Sequence, residues 1–422
     1  MNKKIVAIVV AVVLVLACAV GAYMMLKPKT TAAPTTVTIW HTFTDAQQEA
    51  LTAFANEFNE SQSEYVVEVQ EQAYSGFLDS VYQAVANGVG PNIIINYAST
   101  AAEYVKDNLV VDLAPYINDA EIGMADVYNS LPDTIKAETV GFEDGGMHAL
   151  PAVTTGPILF INKTLYDELG LQIPTTWEQL AENSKAIYEA KGIAGFAADS
   201  KTDLLQSIFM QTGAEYIDLE AKEIRFDTEE NIAWLDWYAE NVKAGYFAHN
   251  SQSDYFSSDF NAQLVACYLG SCAGYPYIVP DGFEYVMAPM PNTIDVAWYP
   301  SWNRGPIVFN KTDAENKGAY LFVKYFMSPE VNARWAIAMN ALSPYGTTQA
   351  TEAYAAFAAD LHPSLVAVQD NIAYAGATPT VTGSQQVRDA VDAAATAVAG
   401  GKTGAEAMAA CAATSNAALQ GK

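Results

Sequence analysis

Apolar and polar positions alternate along Val37, Thr38, Ile39 and Trp40, which predicts a short strand. Between Ala46 and Phe58 the apolar residues Ala50, Leu51, Phe54 and Phe58 fall at helical spacing, so a helix follows. Residues 65–69 alternate again. Residues 77–86 return to the helical period and end in the turn residues Asn87, Gly88, Gly90 and Pro91. Ile93, Ile94 and Ile95 form a continuous apolar run, the pattern of a strand covered on both faces. Strand and helix thus alternate from Val37 to Val111, which predicts an α/β lobe.

The middle of the chain repeats this logic. Residues 158–161 read as a buried strand leading through Asn162, Lys163 and Thr164 into a helix from Leu165. Another helix opens at Trp177, with Thr175 or Thr176 as its N-cap. Residues 231–242 and 317–327 are strongly amphipathic, and Ser328 with Pro329 starts a further helix. The Ala-rich tail from Gln385 to Leu419 reads as helical, interrupted at Gly400 and Gly401. No short-period repeat occurs, although 160–164 and 308–312 share the ending Asn-Lys-Thr after an apolar strand.

The N-terminus changes the picture. Lys3 and Lys4 precede an uncharged run from Ile5 to Leu26, closed by Lys27, Pro28 and Lys29. A basic start followed by an apolar stretch is an export signal. Two forms of tether are open at this point. Residues 15–18 resemble a bacterial lipobox with Cys18 as the lipidation candidate, whereas an uncleaved run of this length is long enough to span a bilayer as an anchor. Cleavage and free secretion is a third form. All three place the remainder outside the cytoplasmic membrane, in the periplasm where the cell has an outer membrane, and the first two tether it to that membrane. Residues 30–36 are small, polar and Pro-containing, a linker composition.

Composition narrows the function classes. The 422 residues hold 48 Asp and Glu against 21 Lys and Arg, a net charge of −27. Because residues 1–29 carry four Lys and no acid, the exported part stands at −31. Such a charge argues against a nucleic-acid binder, which needs clustered Lys and Arg. It is the charge of a solvated acidic surface. It also weighs against an anionic ligand unless Arg304 faces the binding site. With 51% hydrophobic residues the chain is not a disordered one. The four Cys, at 18, 267, 272 and 411, exclude a disulfide-dense scaffold.

Catalytic motifs are weak. Gly401-Lys402-Thr403 looks like the end of a phosphate-binding loop, but position 396 is Thr where that loop needs Gly, so a turn between helices is the better reading. Gly270-Ser271-Cys272-Ala273-Gly274 superficially resembles a nucleophile elbow, yet its centre is Cys272, and a glycine-rich ligand wall explains it as well. Cys267 and Cys272 can bridge only if the chain reverses between them. No His or carboxylate spacing forms a metal site, and no cofactor is expected. A carbohydrate hydrolase would need a localised acid pair, which the chain does not offer. The stronger signal is aromatic: Trp40, Tyr74, Tyr97, Tyr255, Tyr275, Tyr277, Trp298, Tyr299, Trp302 and Tyr345 stand next to turn residues or at strand ends. Flat aromatic faces flanked by amides suit the apolar faces and hydroxyl rims of sugars.

Segments in order then resemble the extracellular solute-binding proteins of ABC importers, in the family that holds the maltodextrin- and glycerol-3-phosphate-binding proteins. Thr38-Ile39-Trp40-His41 with the following helix, Gly90-Pro91-Asn92, and Met147 to Pro151 followed by Leu159 to Lys163 carry the first part. Pro174 to Leu180 (PTTWEQL) is the most specific match; Gln263 to Gly270, Val286 to Pro291, Phe322 to Trp335 and Gly400 to Thr403 complete it.

The resemblance implies an α/β bilobed periplasmic-binding-protein fold, with two lobes joined by a multi-crossing hinge and the ligand in the cleft between them. It implies an N-terminal lobe of 37–150 plus 305–340 and a C-terminal lobe of 151–304 plus 341–422. The expected ligand contacts are Trp40, His41, Thr42, Tyr74, Tyr97, Thr154, Thr155, Ser271, Trp302, Asn303 and Arg304. The expected function is non-enzymatic: a monomer captures a sugar or oligosaccharide by hinge closure and delivers it to ABC permease subunits. The alternatives are a binder of a glycerol phosphate or other anionic polyol, and a ligand sensor for a membrane signalling partner. Two departures bear on the ligand. Relatives that bind glycerol phosphates resemble one another in an arginine upstream of the last helices, and here no Lys or Arg lies between Arg334 and Arg388. Where relatives show paired glycines at the return crossing, this chain has Asn303-Arg304-Gly305, and Arg304 is suited to a carboxylate or phosphate.

Overall fold

Strand β1, Thr35–His41, buries Val37, Ile39 and His41 on one side, the period-2 row that seats it on a core. In the computed structural model, which describes residues 33–73, 76–251, 255–292, 297–376 and 379–421, it pairs in parallel with β2, Tyr65–Glu71, and with β3, Ile93–Tyr97. The leader with Cys18, and Tyr74, lie outside the described residues. Helix α1, Asp45–Ser61, and helix α2, Phe77–Ala86, make the two crossovers. Strand Trp302–Val308 returns late in sequence and runs antiparallel between β3 and Val153–Thr155, completing a five-stranded mixed sheet.

The second sheet is also five-stranded: Tyr285–Pro289, Pro157–Asn162, Cys267–Ser271, Phe196–Ala198 and Phe247–Ala248, in that order. The interior strand 157–162 is buried at every position, as its unbroken apolar sequence requires. Helices Trp177–Lys191, Lys201–Gln211, Glu229–Lys243, Ser384–Ala399 and Gly404–Leu419 pack around it. Thr176 caps the first of these through its side chain, and Thr403 closes a reciprocal capping box with Glu406. Gly401-Lys402-Thr403 is accordingly an interhelical turn.

Each sheet has its own core, so the molecule is bilobed. The chain passes between the lobes at Gly156, at Ser301 and between helices Glu352–Ala359 and Pro363–Gln369. Segments 153–155 and 302–304, expected in the second lobe, pair within the first sheet, because each stays extended and completes that sheet's ladder before it crosses. Tyr345 and Tyr354, beyond the expected limit at 340, pack in the first core. The first crossing leaves no room for a side chain: a Cβ at Gly156 would lie 2.5 Å from the Tyr299 ring. The Tyr299 hydroxyl donates to the Pro157 carbonyl, tying the first and second crossings together.

Cys267 and Cys272 are both free and buried. They flank the extended strand 267–271, which carries them roughly 16 Å apart at about 3.3 Å per residue, so no bridge forms. No helix among the described residues is long and apolar enough to cross a membrane.

Candidate functional site

A cleft of about 650 Å³ opens between the lobes, bounded at its base by the second crossing. Of the expected contacts, Thr42, Tyr97, Ser271, Trp302, Asn303 and Arg304 line it together. Trp302 and Arg304 stand two apart on one strand and so project to one side. Tyr97 lies directly opposite Arg304 on the neighbouring strand. From the second lobe, Gly270 and Ser271 reach the cleft at the carboxyl end of strand 267–271, and a Cβ at Gly270 would meet the Asp199 carboxylate at 2.7 Å.

Four expected contacts lie elsewhere. Trp40 packs beside the core and its indole N–H donates to Gln70 at 2.9 Å. His41 is buried; it continues the row of Val37 and Ile39, stacks on Phe43 at 5.8 Å, and accepts the Phe43 N–H at Nδ1. Burial lowers its pKa, which keeps the ring neutral. Thr154 is buried and donates to Asn303 Oδ1 at 2.8 Å, while Thr155 is buried against the Trp302 carbonyl. These threonines fix the second crossing from behind.

Acids and a base on helices complete the cleft. Glu138, near the end of helix Asp133–Thr139, accepts from Asn303 Nδ2 at 2.6 Å. Protein crowds its carboxyl, and this desolvation pushes its pKa up to about 7. Asp199 faces it from the second lobe; burial raises its pKa to about 6 although it accepts the Phe256 N–H at 2.8 Å. Arg388, on helix Ser384–Ala399, pairs with Asp203 at 2.8 Å and donates to Gln206 at 3.1 Å. Tyr255 adds a half-exposed ring on the second lobe's side. Contacts at the cleft's margin link the lobes directly: Glu103 accepts the Gly383 N–H at 3.2 Å, and Lys222 pairs with Glu143 at 3.2 Å.

Other sequence candidates resolve as structure. Cys272 is buried and its thiol is pushed up to about 12, which leaves it protonated and unreactive. Tyr299 and Tyr345 are core residues. The Tyr275 ring packs against His362 in a tilted arrangement, with centroids 3.8 Å apart. Among the described residues no group of His, Cys, Asp and Glu could hold a metal ion.

The profile of the family described as bacterial extracellular solute-binding protein matches residues 53–362. The chain belongs to that family. Members of the family bind solutes outside the cytoplasm, and its profile ends before the last helices of this chain. Among curated relatives, the sn-glycerol-3-phosphate-binding periplasmic protein of Yersinia pseudotuberculosis is 21% identical over 324 residues, 72% of each chain. The protein of that same description from Rhizobium meliloti is 24% identical over 317 residues, 70% of this chain and 72% of its own.

Solved structures agree in fold. The GacH receptor of Streptomyces glaucescens, solved unliganded and with acarbose, superposes with a TM-score of 0.78 at 16% identity, over 92% of this chain and 99% of its own. The cyclic alpha-maltosyl-1,6-maltose binding protein of Arthrobacter globiformis gives 0.75 at 21% identity, over 92% of this chain and all of its own. The bilobed α/β architecture is therefore that of the binding-protein fold.

Proposed function

We propose that this protein captures a sugar or oligosaccharide in the interlobe cleft and delivers it to the permease of an ABC importer. One observation carries the reading: two aromatic side chains at adjacent strand ends of the first sheet, Tyr97 and Trp302, and a third from the other lobe, Tyr255, converge on one cleft with hydroxyl groups between them. Apolar ring faces for a sugar's CH surface, with Thr42 and Ser271 for its hydroxyls, form a carbohydrate site. The relatives whose names specify acarbose or a cyclic maltosyl-maltose fit the same class.

The mechanism is closure about the three crossings. A ligand that touches both walls favours the state in which both are near, by no more than its differential affinity for that state. The protein acts as a monomer tethered by its N-terminal segment, through a lipid on Cys18 or an uncleaved anchor; mass spectrometry of the membrane-extracted protein separates the two.

A thermal-shift screen of mono- and oligosaccharides, polyols and glycerol phosphodiesters tests the function. At least one saccharide should raise the melting temperature, because a ligand specific to the folded state stabilises it by mass action. A panel with no saccharide response, or a response to non-carbohydrate solutes alone, contradicts the reading.

A further inference from the structure

Two guanidinium groups line the cleft, and they are held differently. Arg388 is neutralised within its own wall by Asp203, with Gln206 taking a further N–H. Arg304 has no such partner. Its Nε donates to the Ile95 carbonyl at 3.2 Å, and its guanidinium carbon lies 4.5 Å above the centre of the Phe43 ring. Phe43 is itself buried and fixed edge-on against Trp335 and stacked on His41. No ion pair to Arg304 exists among the described residues, although the chain holds 48 acids against 21 bases.

That arrangement orients the head without discharging it. Nε is committed to a neutral carbonyl, one face of the plane rests on a ring, and the two Nη groups are the donors left over. A half-buried cation supported only by neutral groups retains its capacity for a carboxylate or phosphate, which guanidinium binds in a planar, two-pronged geometry. The surroundings suit an anion better than the overall charge indicates. Burial raises the pKa of both Glu138 and Asp199, so each holds its proton to higher pH than an exposed acid does, and Asp203 is already paired. Asp79 is the other cleft-lining acid on the first lobe.

We propose that the ligand is an acidic sugar, a saccharide carrying one carboxylate or phosphate group that pairs with Arg304 while its ring lies against Trp302 and Tyr97. This rests on the carbohydrate reading above and names the substrate class within it. Arg304 is then the specificity-determining residue, separating an acidic saccharide from its neutral counterpart.

Calorimetric titration of the full exported chain with paired probes tests it: D-glucuronate against D-glucose, D-galacturonate against D-galactose, trigalacturonate against maltotriose, glucose 6-phosphate against glucose, and sn-glycerol 3-phosphate alone. At least one acidic saccharide should bind roughly tenfold or more tightly than its neutral partner. Arg304→Gln should abolish that preference, weaken the acidic probe by about ten- to a hundredfold, and lower the melting temperature of the free protein only slightly, through the lost contacts with Ile95 and Phe43. Arg304→Lys should recover part of the loss, since it restores charge without the fork. Uronates and the phosphate ester tell the two sources of the anion apart.

A neutral sugar that binds as tightly as its acid, or an Arg304→Gln variant that weakens both alike, overturns the inference and leaves the carbohydrate reading standing. Binding of glycerol 3-phosphate with no saccharide of either kind removes the sugar and keeps only the anion. Binding of none of the probes removes both.

Discussion

The two arginines of the cleft, Arg304 on the first lobe and Arg388 on the second, differ in what answers their charge. Arg388 is part of a closed network with Asp203 and Gln206, and its side chain is mostly covered. Arg304 is aimed by a carbonyl and a ring and answered by no acid among the described residues. A charge compensated inside its own wall holds structure, because removing one partner strands the other. A charge left uncompensated at a cleft is available to a ligand. The same contrast separates Trp302 and Arg304, which line the cleft on the hinge side, from Asp203 and Arg388 on the helical wall, whose charges meet each other.

The largest test of that contrast is Asp203→Asn. It should destabilise the fold by about 3 kcal/mol in chemical denaturation, since it leaves a largely buried guanidinium unpaired. A loss below about 0.5 kcal/mol would mean that Arg388 finds water or ligand as readily as Arg304 does. On the other wall, Trp302→Ala should weaken saccharide binding ten- to a hundredfold by calorimetry with little change in melting temperature, as a partly exposed ring at a cleft base contributes to binding more than to folding. Unchanged affinity removes Trp302 from the site.

Glu138 sharpens the comparison through pH. Its folded pKa, about 7, is raised above the ordinary 4.5, so the folded state holds the proton more tightly. That contribution to stability is fully present below about pH 4.5 and is lost as pH rises through about 7. Asp199 acts in the same direction at lower pH, through about 6. Between pH 5 and 8 the wild type should therefore lose on the order of 1–2 kcal/mol more stability than Glu138→Gln. Parallel stability profiles for the two proteins would show that the carboxyl is solvated. The smallest effect is expected at Ser271→Ala. Its hydroxyl accepts the Ala273 N–H at 3.2 Å and caps a short helical turn, so about 0.5–1 kcal/mol of stability should go, read as a small fall in melting temperature.

Much of the frame was legible in the chain. Helix Phe77–Ala86 lies where its periodicity places it, and strand 157–162 is as buried as its apolar run requires. His41 carries a readable signal: Val37, Ile39 and His41 share one parity on a strand, so His41 faces the core. Trp302 and Arg304 were legible because both sit where an apolar strand begins, at a crossing. Glu138, Asp199, Asp203 and Arg388 were not, since helix and strand packing set which of a surface's many acids turns toward the cleft. Local sequence carries no mark of that choice. The lobe limits slipped for a related reason: a crossing segment belongs to whichever sheet still has an edge to pair, and that edge is formed by residues 150 positions away.

A sugar that bridges the two walls should close the two lobes about their three crossings. Small-angle scattering of the exported chain, with and without the saccharide that raises its melting temperature most, tests this directly. The radius of gyration should fall in the presence of that saccharide and stay constant when Trp302→Ala is measured at the same concentration. A radius that stays constant for the wild type at saturation would contradict it.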